Sequence, residues 1–342
     1  MGGSTINSQL ARAACIARPD LPARTLARVL MQQNPGCWAT LNAARMCVQF
    51  VRGKCISRSK VPATSAIPRI KSTCPTEPWN PTKYLPKSDE RSFTPFEVSV
   101  DRDTRVLVLS DIHMPYHSMT ALTATLKHGK ARDCRMILLN GDTLDFHRLS
   151  RFQKDPRARN AKQEIEAVVQ FLDALDEWFP KARKIWKDGN HDERYAHYQS
   201  AMAPEITDII SDVAGLEKLL ELRDRGWDYV TDKRPIYLGK LPVIHGHEYP
   251  TPVLGPVNAA RGLFLRTKES ALVSHHHQTS EHTETTISEK IITTWSIGCL
   301  CDLHPAYAVF NKWNQGFAEI ELTKTGNYQV QNKRVHCGKI LN

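Results

Sequence analysis

Five short apolar runs end in the same chemical vocabulary: RVLVLSDIH (105–113), RMILLNGDTLD (135–145), RKIWKDGNHD (183–192), LPVIHGH (241–247) and ALVSHHH (271–277). Each is too short for a helix, so each reads as a buried strand. The stretches between them have helical periodicity, which predicts a layered α/β fold. In such sheets, ligands gather beyond the carboxyl ends of the strands. Taken singly, a His at a strand end is ordinary packing and Gly-Asp is an ordinary turn. Five such ends in one domain bring carboxylates and imidazoles to one place, and their burial is costly unless cations compensate it.

The residue types suit two metal ions. Asp111 and His113 lie two apart and, on an extended segment, face the same side. Asp142 offers two oxygens and can bridge two cations. Asn190 offers a neutral carbonyl oxygen, while His245, His275 and His277 offer ring nitrogens. In the triple-histidine run the outer two are expected to reach the site, with His276 pointing away. Mixed nitrogen and oxygen ligation favours Mn²⁺, Fe²⁺, Zn²⁺ or Ni²⁺ over Mg²⁺.

The motif order DxH, GDxxD, GNHD, HG, HxH over residues 104–322 resembles the calcineurin-like metallophosphoesterases. The resemblance implies a four-layer αββα sandwich with a dinuclear metal site at the sheet edge. Asp111, His113, Asp142 and His277 would hold one metal; Asp142, Asn190, His245 and His275 would hold the other. It implies hydrolysis of phosphate esters by metal-activated hydroxide, with Mn²⁺ the working choice of metal. His191 would be the general acid that protonates the leaving group, with Asp192 orienting its ring. Asp145 and His247 would support the ligands from behind.

The chain departs from the family pattern in informative places. Ser274 stands where the last motif, GHxH, has glycine, a mild change that the site is expected to survive. GDTLDFH replaces the GDxxDRG of protein phosphatases, so the phosphate-gripping arginine is missing and Phe146 stands in its position; His147 or Arg148 are the nearby substitutes. This argues against a protein phosphatase. Residues 294–322 resemble the closing segment of a phage and prophage branch, and Cys299 and Cys301 read as structural thiols.

Charge is divided unevenly. Residues 1–88 carry 13 Lys and Arg against Asp20 and Glu77, a net +11, which leaves −1 for the other 254 residues of a chain with total charge +10. A basic helical module over 1–60, a proline-rich linker over 61–96 and a catalytic domain over 97–342 are expected, because the seven prolines of the middle stretch remove backbone donors and fix φ. Three helices with basic faces suit either a helix-turn-helix, in which Arg45, Arg52 and Lys54 meet phosphates, or a plain bundle with solvated arginines. The longest apolar runs, about five to seven residues, fall far short of the roughly 20 needed to span a bilayer. The first residues are Arg-rich but too scattered in their apolar positions for a secretory signal, and Ile6 spoils a myristoylation match. Nine dispersed cysteines without paired spacing suit reduced thiols and a cytoplasmic setting. The expected function is a phosphodiesterase or nuclease acting on DNA or RNA. The alternatives are a small-molecule nucleotide or cyclic-nucleotide phosphoesterase and a non-catalytic DNA-binding scaffold.

Overall fold

The computed structural model describes residues 6–53, 86, 93–151, 154, 157–249, 257–305 and 308–341. The chain divides into two compact units, Met1–Asp89 and Glu90–Asn342. Nearly all of the expected linker, and Lys54 with it, lies outside the described residues.

The first unit is built from α1 (Ile6–Ala17), α2 (Ala23–Gln33) and α3 (Leu41–Val51). Pro22, with its fixed φ and missing donor, stands directly before α2, and Thr40 caps α3 by accepting from the Ala43 amide at 3.1 Å. Apolar residues on the inward stripes, among them Ala11, Leu26, Ala27, Leu30, Ala44 and Val48, form the core. The connection between α2 and α3 runs over residues 34–40 and contains Pro35-Gly36. That is longer than the roughly 3–4-residue turn of a helix-turn-helix. Arg52 also departs from the phosphate-contact expectation. Its Nη1 donates to the Leu21 carbonyl at 2.7 Å and Nη2 to that of Arg18 at 3.3 Å, so it ties the end of α3 to the α1–α2 connection. Arg45 is half-buried, whereas Arg12, Arg18, Arg24 and Arg28 are exposed.

The second unit is a sandwich of two sheets. One contains β1 (Phe96–Val98), β6 (Ile236–Leu238), β7 (Leu241–Ile244), β8 (Ala271–Val273), β10 (Ile291–Ser296) and β9 (Ser280–Thr285), in that order. The other has at its centre β2 (Thr104–Leu109), followed by β3 (Met136–Asn140), β4 (Arg183–Lys187) and β5 (Asp228–Val230), all parallel. On the opposite side of β2 it continues through antiparallel β11 (Gln315–Leu322), β12 (Tyr328–His336) and β13 (Lys339–Leu341). The linker expected to run to residue 96 ends slightly earlier: Arg234 donates to the carbonyls of Thr94 and Pro95, pinning the chain ahead of β1.

Period-two alternation sorts the side chains. Val106, Val108, Met136, Leu138 and Ile185 face the other sheet and pack with Ile236, Leu238, Val243 and Leu272. Their neighbours Leu107, Leu109, Ile137, Leu139 and Trp186 face outward onto α4 (Met119–Ala131) and α5 (Ala161–Trp178). Against the far face of the other sheet, Leu263 of α9 (Ala259–Thr267) packs on Ile244, Ala271 and Val273. The layers therefore run helix, sheet, sheet, helix, as the fold class requires. Helix α5 starts with a reciprocal capping box between Asn160 and Gln163 and buries Val168, Leu172 and Leu175, but its buried stripe also carries Glu164. Three short helices follow β4: α6 (Arg194–Met202), α7 (Thr207–Ala214) and α8 (Leu216–Leu219). Among the described residues, no helix is long and apolar enough to cross a membrane.

Leu138 is fully buried between the sheets. Leu138→Ala is expected to destabilise the protein by about 2–5 kcal/mol, through lost burial plus the cavity left behind. Ile209→Ala, at a position 60% exposed, should stay within about 0.5 kcal/mol of the parent. Urea midpoints of the two variants check both.

Candidate metal centre

The five motif-bearing strands are β2, β3 and β4, parallel neighbours in one sheet, and β7 and β8, parallel neighbours in the other. Their carboxyl ends open at one edge of the sandwich. The segments beyond them are not extended, however. Asp111, His113, Asp142, His275 and His277 all have left-handed φ values between 49° and 66°. Alternation along a strand is therefore not what places Asp111 and His113 together: tight turns curl the chain, with Ile112 buried in the apolar core between them. Such conformations cost non-glycine residues on the order of 1–3 kcal/mol each and persist where surrounding bonds over-determine them. Here the amides of Ile112 and His113 both donate to the Asp142 carbonyl at 2.9 Å, and the Asp111 amide donates to that of Gly141 at 3.1 Å.

The sequence-derived ligands form a continuous chain of contacts. His277 Nε2 lies 3.1 Å from Asp111 Oδ1 and 3.3 Å from His113 Nε2. Asp142 Oδ2 lies 3.7 Å from His113 Nε2 and 3.3 Å from His245 Nε2. The His245 ring stands 5.1 Å from that of His275, and ligand atoms of Asp142, His245 and His275 lie within 4.8 Å of one another. His276 does not turn fully away: it is half-buried, with its ring 5.2 Å from that of His275.

The donor set fits cations. Asn190 Oδ1 and His275 Nδ1 are buried without hydrogen-bond partners, while Asp111 Oδ1 and His245 Nε2 face His277 Nε2 and Asp142 Oδ2. His245 Nδ1 faces the Asn140 carbonyl at 2.8 Å, so it carries the proton and Nε2 turns a lone pair toward the Asp142 carboxylate. Facing lone pairs and carboxylates of this kind need positive charge between them. Without a metal, protons supply it. Burial opposes charge on both rings, yet Asp142 holds His245 up to about 10 and Asp111 holds His277 up to about 9.

Around the ligands, several groups act as struts. Asp145 Oδ1 lies 3.1 Å from His113 Nδ1 and 3.0 Å from His191 Nδ1, so one carboxylate oxygen sets both rings. The ring-orienting role expected of Asp192 belongs to Asp145. Asp192 instead accepts from the backbone amides of Asp142, Leu144 and Gly189, clamping the β3 and β4 turns together. His247 stands behind His245, its Nε2 3.1 Å from Glu193 Oε1. Ser274, in the place of the glycine, is fully buried; its Oγ accepts from Asn140 Nδ2 at 2.9 Å and reaches the His245 carbonyl at 3.1 Å, stitching the two sheets together. Cys301, expected to be purely structural, has its Sγ 4.0 Å from His277 Nδ1.

Sequence reasoning missed four contributors. Lys187, fully buried, places Nζ 3.0 Å from Glu248 Oε1, and Glu248 accepts from the His245 and Gly246 amides. Arg194 donates Nη1 to the Asp145 carbonyl at 2.7 Å and directs Nη2 at His191 Nε2, 3.0 Å away. Glu164 accepts from the Phe146 amide at 2.6 Å beside the site. The only signals were a charged residue at the end of an apolar strand, the Glu following HGH and the Arg following GNHDE.

A Cβ at Gly189 would stand 2.2 Å from Asp142 Oδ1 and 2.4 Å from the Asp142 amide. Gly189→Ala must displace Asp142, so it should lower stability by about 1–3 kcal/mol and strip bound metal, read by elemental analysis after gel filtration. Glu164 gives a pH prediction. Burial, reinforced by the Asp145 charge, pushes its carboxyl from 4.5 up to about 8. The folded protein keeps a proton that the unfolded chain loses, so stability falls as pH rises from 4.5 toward 8 and levels off above that. Glu164→Gln should therefore match the parent's melting temperature near about pH 5 and exceed it above about pH 8; an equal difference at both ends would show that Glu164 is ionised throughout.

The calcineurin-like phosphoesterase family model matches residues 104–307. No curated protein matches the chain in sequence. Solved structures similar to it include Vacuolar Protein Sorting 29 from Cryptosporidium parvum, at 12% identity and TM-score 0.38, covering 70% of this chain and 96% of that one. Vps29 from Entamoeba histolytica has 14% identity and TM-score 0.37, covering 69% and 96%. Yfce, a phosphoesterase from E. coli, has 13% identity and TM-score 0.33, covering 67% and 98%. With the family model spanning more than half of its length and five strand ends converging on a metal-ready cluster, this chain belongs to the calcineurin-like phosphoesterase family and is a metal-dependent phosphoesterase.

Proposed function

We propose that the protein is a phosphodiesterase that acts on nucleic acid, with Mn²⁺ as the working metal. The observation that carries the choice of polymer is the division of charge, +11 over residues 1–88 against −1 over the rest. Lys and Arg that neutralise phosphates release counterions, so such a segment adds sequence-independent affinity for a polyanion. The likeness of the closing segment to a phage and prophage branch belongs to the same reading.

In this mechanism Asp111, His113, Asp142 and His277 would hold one cation, and Asp142, Asn190, His245 and His275 would hold the other. Divalent cations at such a site supply Lewis acidity and activate water. The chain's own residues do the rest. Asp145 fixes the His191 ring through Nδ1 and leaves Nε2 as the nitrogen that can protonate the departing oxygen. Lys187 and Glu248 brace the turn that carries His245, which keeps its Nε2 aimed at Asp142.

A second reading, a nucleotide phosphoesterase whose N-terminal helices serve assembly, is favoured by the inward-turned Arg52 and by Ile6, Ile16, Met46 and Phe50, which the small unit leaves exposed.

The test is hydrolysis of bis-p-nitrophenyl phosphate and p-nitrophenyl phosphate by the full chain with Mn²⁺. The diester should be cleaved, His191→Ala should lose about 10²–10⁴-fold in rate, and Asp142→Asn should lose nearly all activity. Cleavage of DNA or RNA should fall steeply between low and moderate salt while cleavage of the small diester does not. Hydrolysis of the monoester alone would remove the nucleic-acid reading.

A further inference from the structure

Resting on the reading of this site as a phosphoesterase centre, we propose that Arg194 is the substrate's phosphate clamp, replacing the arginine that the GDTLDFH motif lacks. At the missing position, Phe146 is fully buried and its ring stacks 5.7 Å from that of Tyr195, so position 146 itself presents no cation. The next turn of the site presents one. Arg194 is the first residue of α6, directly after GNHDE, and its amide donates to the His191 carbonyl. The start of that helix thus delivers the guanidinium to the site.

Its contacts locate it. Nη1 is fixed on the Asp145 carbonyl at 2.7 Å, and Nη2 stands 3.0 Å from His191 Nε2. His191 in turn offers a ring nitrogen within 4.8 Å of ligand atoms of His113 and Asp142. The guanidinium is therefore one side chain removed from the metal ligands, half-buried, and anchored on one arm while the other holds an exchangeable partner.

Chemistry makes that exchange favourable. Guanidinium has five donors and no acceptor, so His191 Nε2 faces it through its lone pair. Engaged in this way, Nε2 cannot donate to a leaving oxygen. A non-bridging phosphoryl oxygen is a charged acceptor and forms a stronger, shorter bond with guanidinium than neutral imidazole does. A phosphate entering the site takes the guanidinium contact in its place, and the freed Nε2 takes up a proton from solvent, which it can then pass to the leaving oxygen. One contact thus grips the substrate and makes the acid available, which is what a phosphate group of either a diester or a monoester requires.

The test uses the full-length, Mn²⁺-loaded protein and inorganic phosphate as the probe, with binding measured by calorimetry beside the hydrolysis assay. Arg194→Met should weaken phosphate about ten- to a hundred-fold, the size expected for a lost charge-assisted pair, and should raise KM for bis-p-nitrophenyl phosphate as well as lower kcat. Metal content and melting temperature should match the parent. Arg194→Lys, which keeps the charge, should recover part of the phosphate affinity. Because phosphate binding is read without turnover, loss of affinity in Arg194→Met supports the clamp even if no ester is hydrolysed. That second result would instead count against the phosphoesterase reading. Unchanged phosphate affinity in Arg194→Met, with metal content retained, overturns the proposal.

Discussion

The arrangement hangs on the buried carboxylate and backbone of Asp142. Its carbonyl receives the amides of Ile112 and His113, its amide donates to Asp192, Oδ1 accepts from the His191 amide at 2.8 Å, and Oδ2 faces His113 and His245. Four of the five strand ends are thereby referenced to one residue. A carboxylate in this position repels a second one unless positive charge stands close by, and His245 carries that charge when no metal does. The site is thus electrostatically coherent as a whole and in no smaller piece, since removing any one ligand leaves its neighbours facing like lone pairs.

Close approach of backbone makes that convergence feasible. Gly141, at φ +90°, leaves no room for a side chain, because a Cβ there would lie 2.4 Å from His245 Nδ1. The glycine lets the β3 turn meet the His245 ring at contact distance, which in turn allows Asn140, at the end of one sheet, to bond Ile244 and Ser274 of the other. Ser274 adds a hydroxyl where the family pattern has none. That hydroxyl is satisfied on both sides, which is why a polar group in a fully buried position strengthens the seam between sheets.

How much of this the sequence discloses depends on the kind of physics involved. The five motif-bearing strands and the gathering of Asp111, His113, Asp142, His245, His275 and His277 are legible, because apolar runs and residue type carry them. Conformation beyond the strand ends is not. The left-handed turns at Asp111 and His113 are imposed by tertiary hydrogen bonds, and residue spacing alone suggested an extended segment. The same limit explains the exchange of roles between Asp145 and Asp192. Adjacency to His191 pointed to Asp192, whereas a helical turn after GN folds that side chain back onto backbone amides and leaves the ring to a residue 46 positions away. Lys187, Glu164 and Arg52 share a further difficulty: a charged residue in sequence reads as solvated, and only the packed structure shows it buried or bonded inward.

Arg194 brings these two lessons together and bears on selectivity. A centre rich in Asp side chains needs positive charge to receive a phosphate anion, which cations held by these residues would supply. A guanidinium fixed on the Asp145 carbonyl lies outside the ligand shell, so it adds attraction for the anion without competing for a metal position. Its partner before substrate arrives is the very nitrogen that the reaction needs, so phosphate and His191 compete for the same guanidinium arm. The outcome is a centre in which the acid is exposed when a phosphate has taken its place, which couples occupancy of the site to readiness for proton transfer.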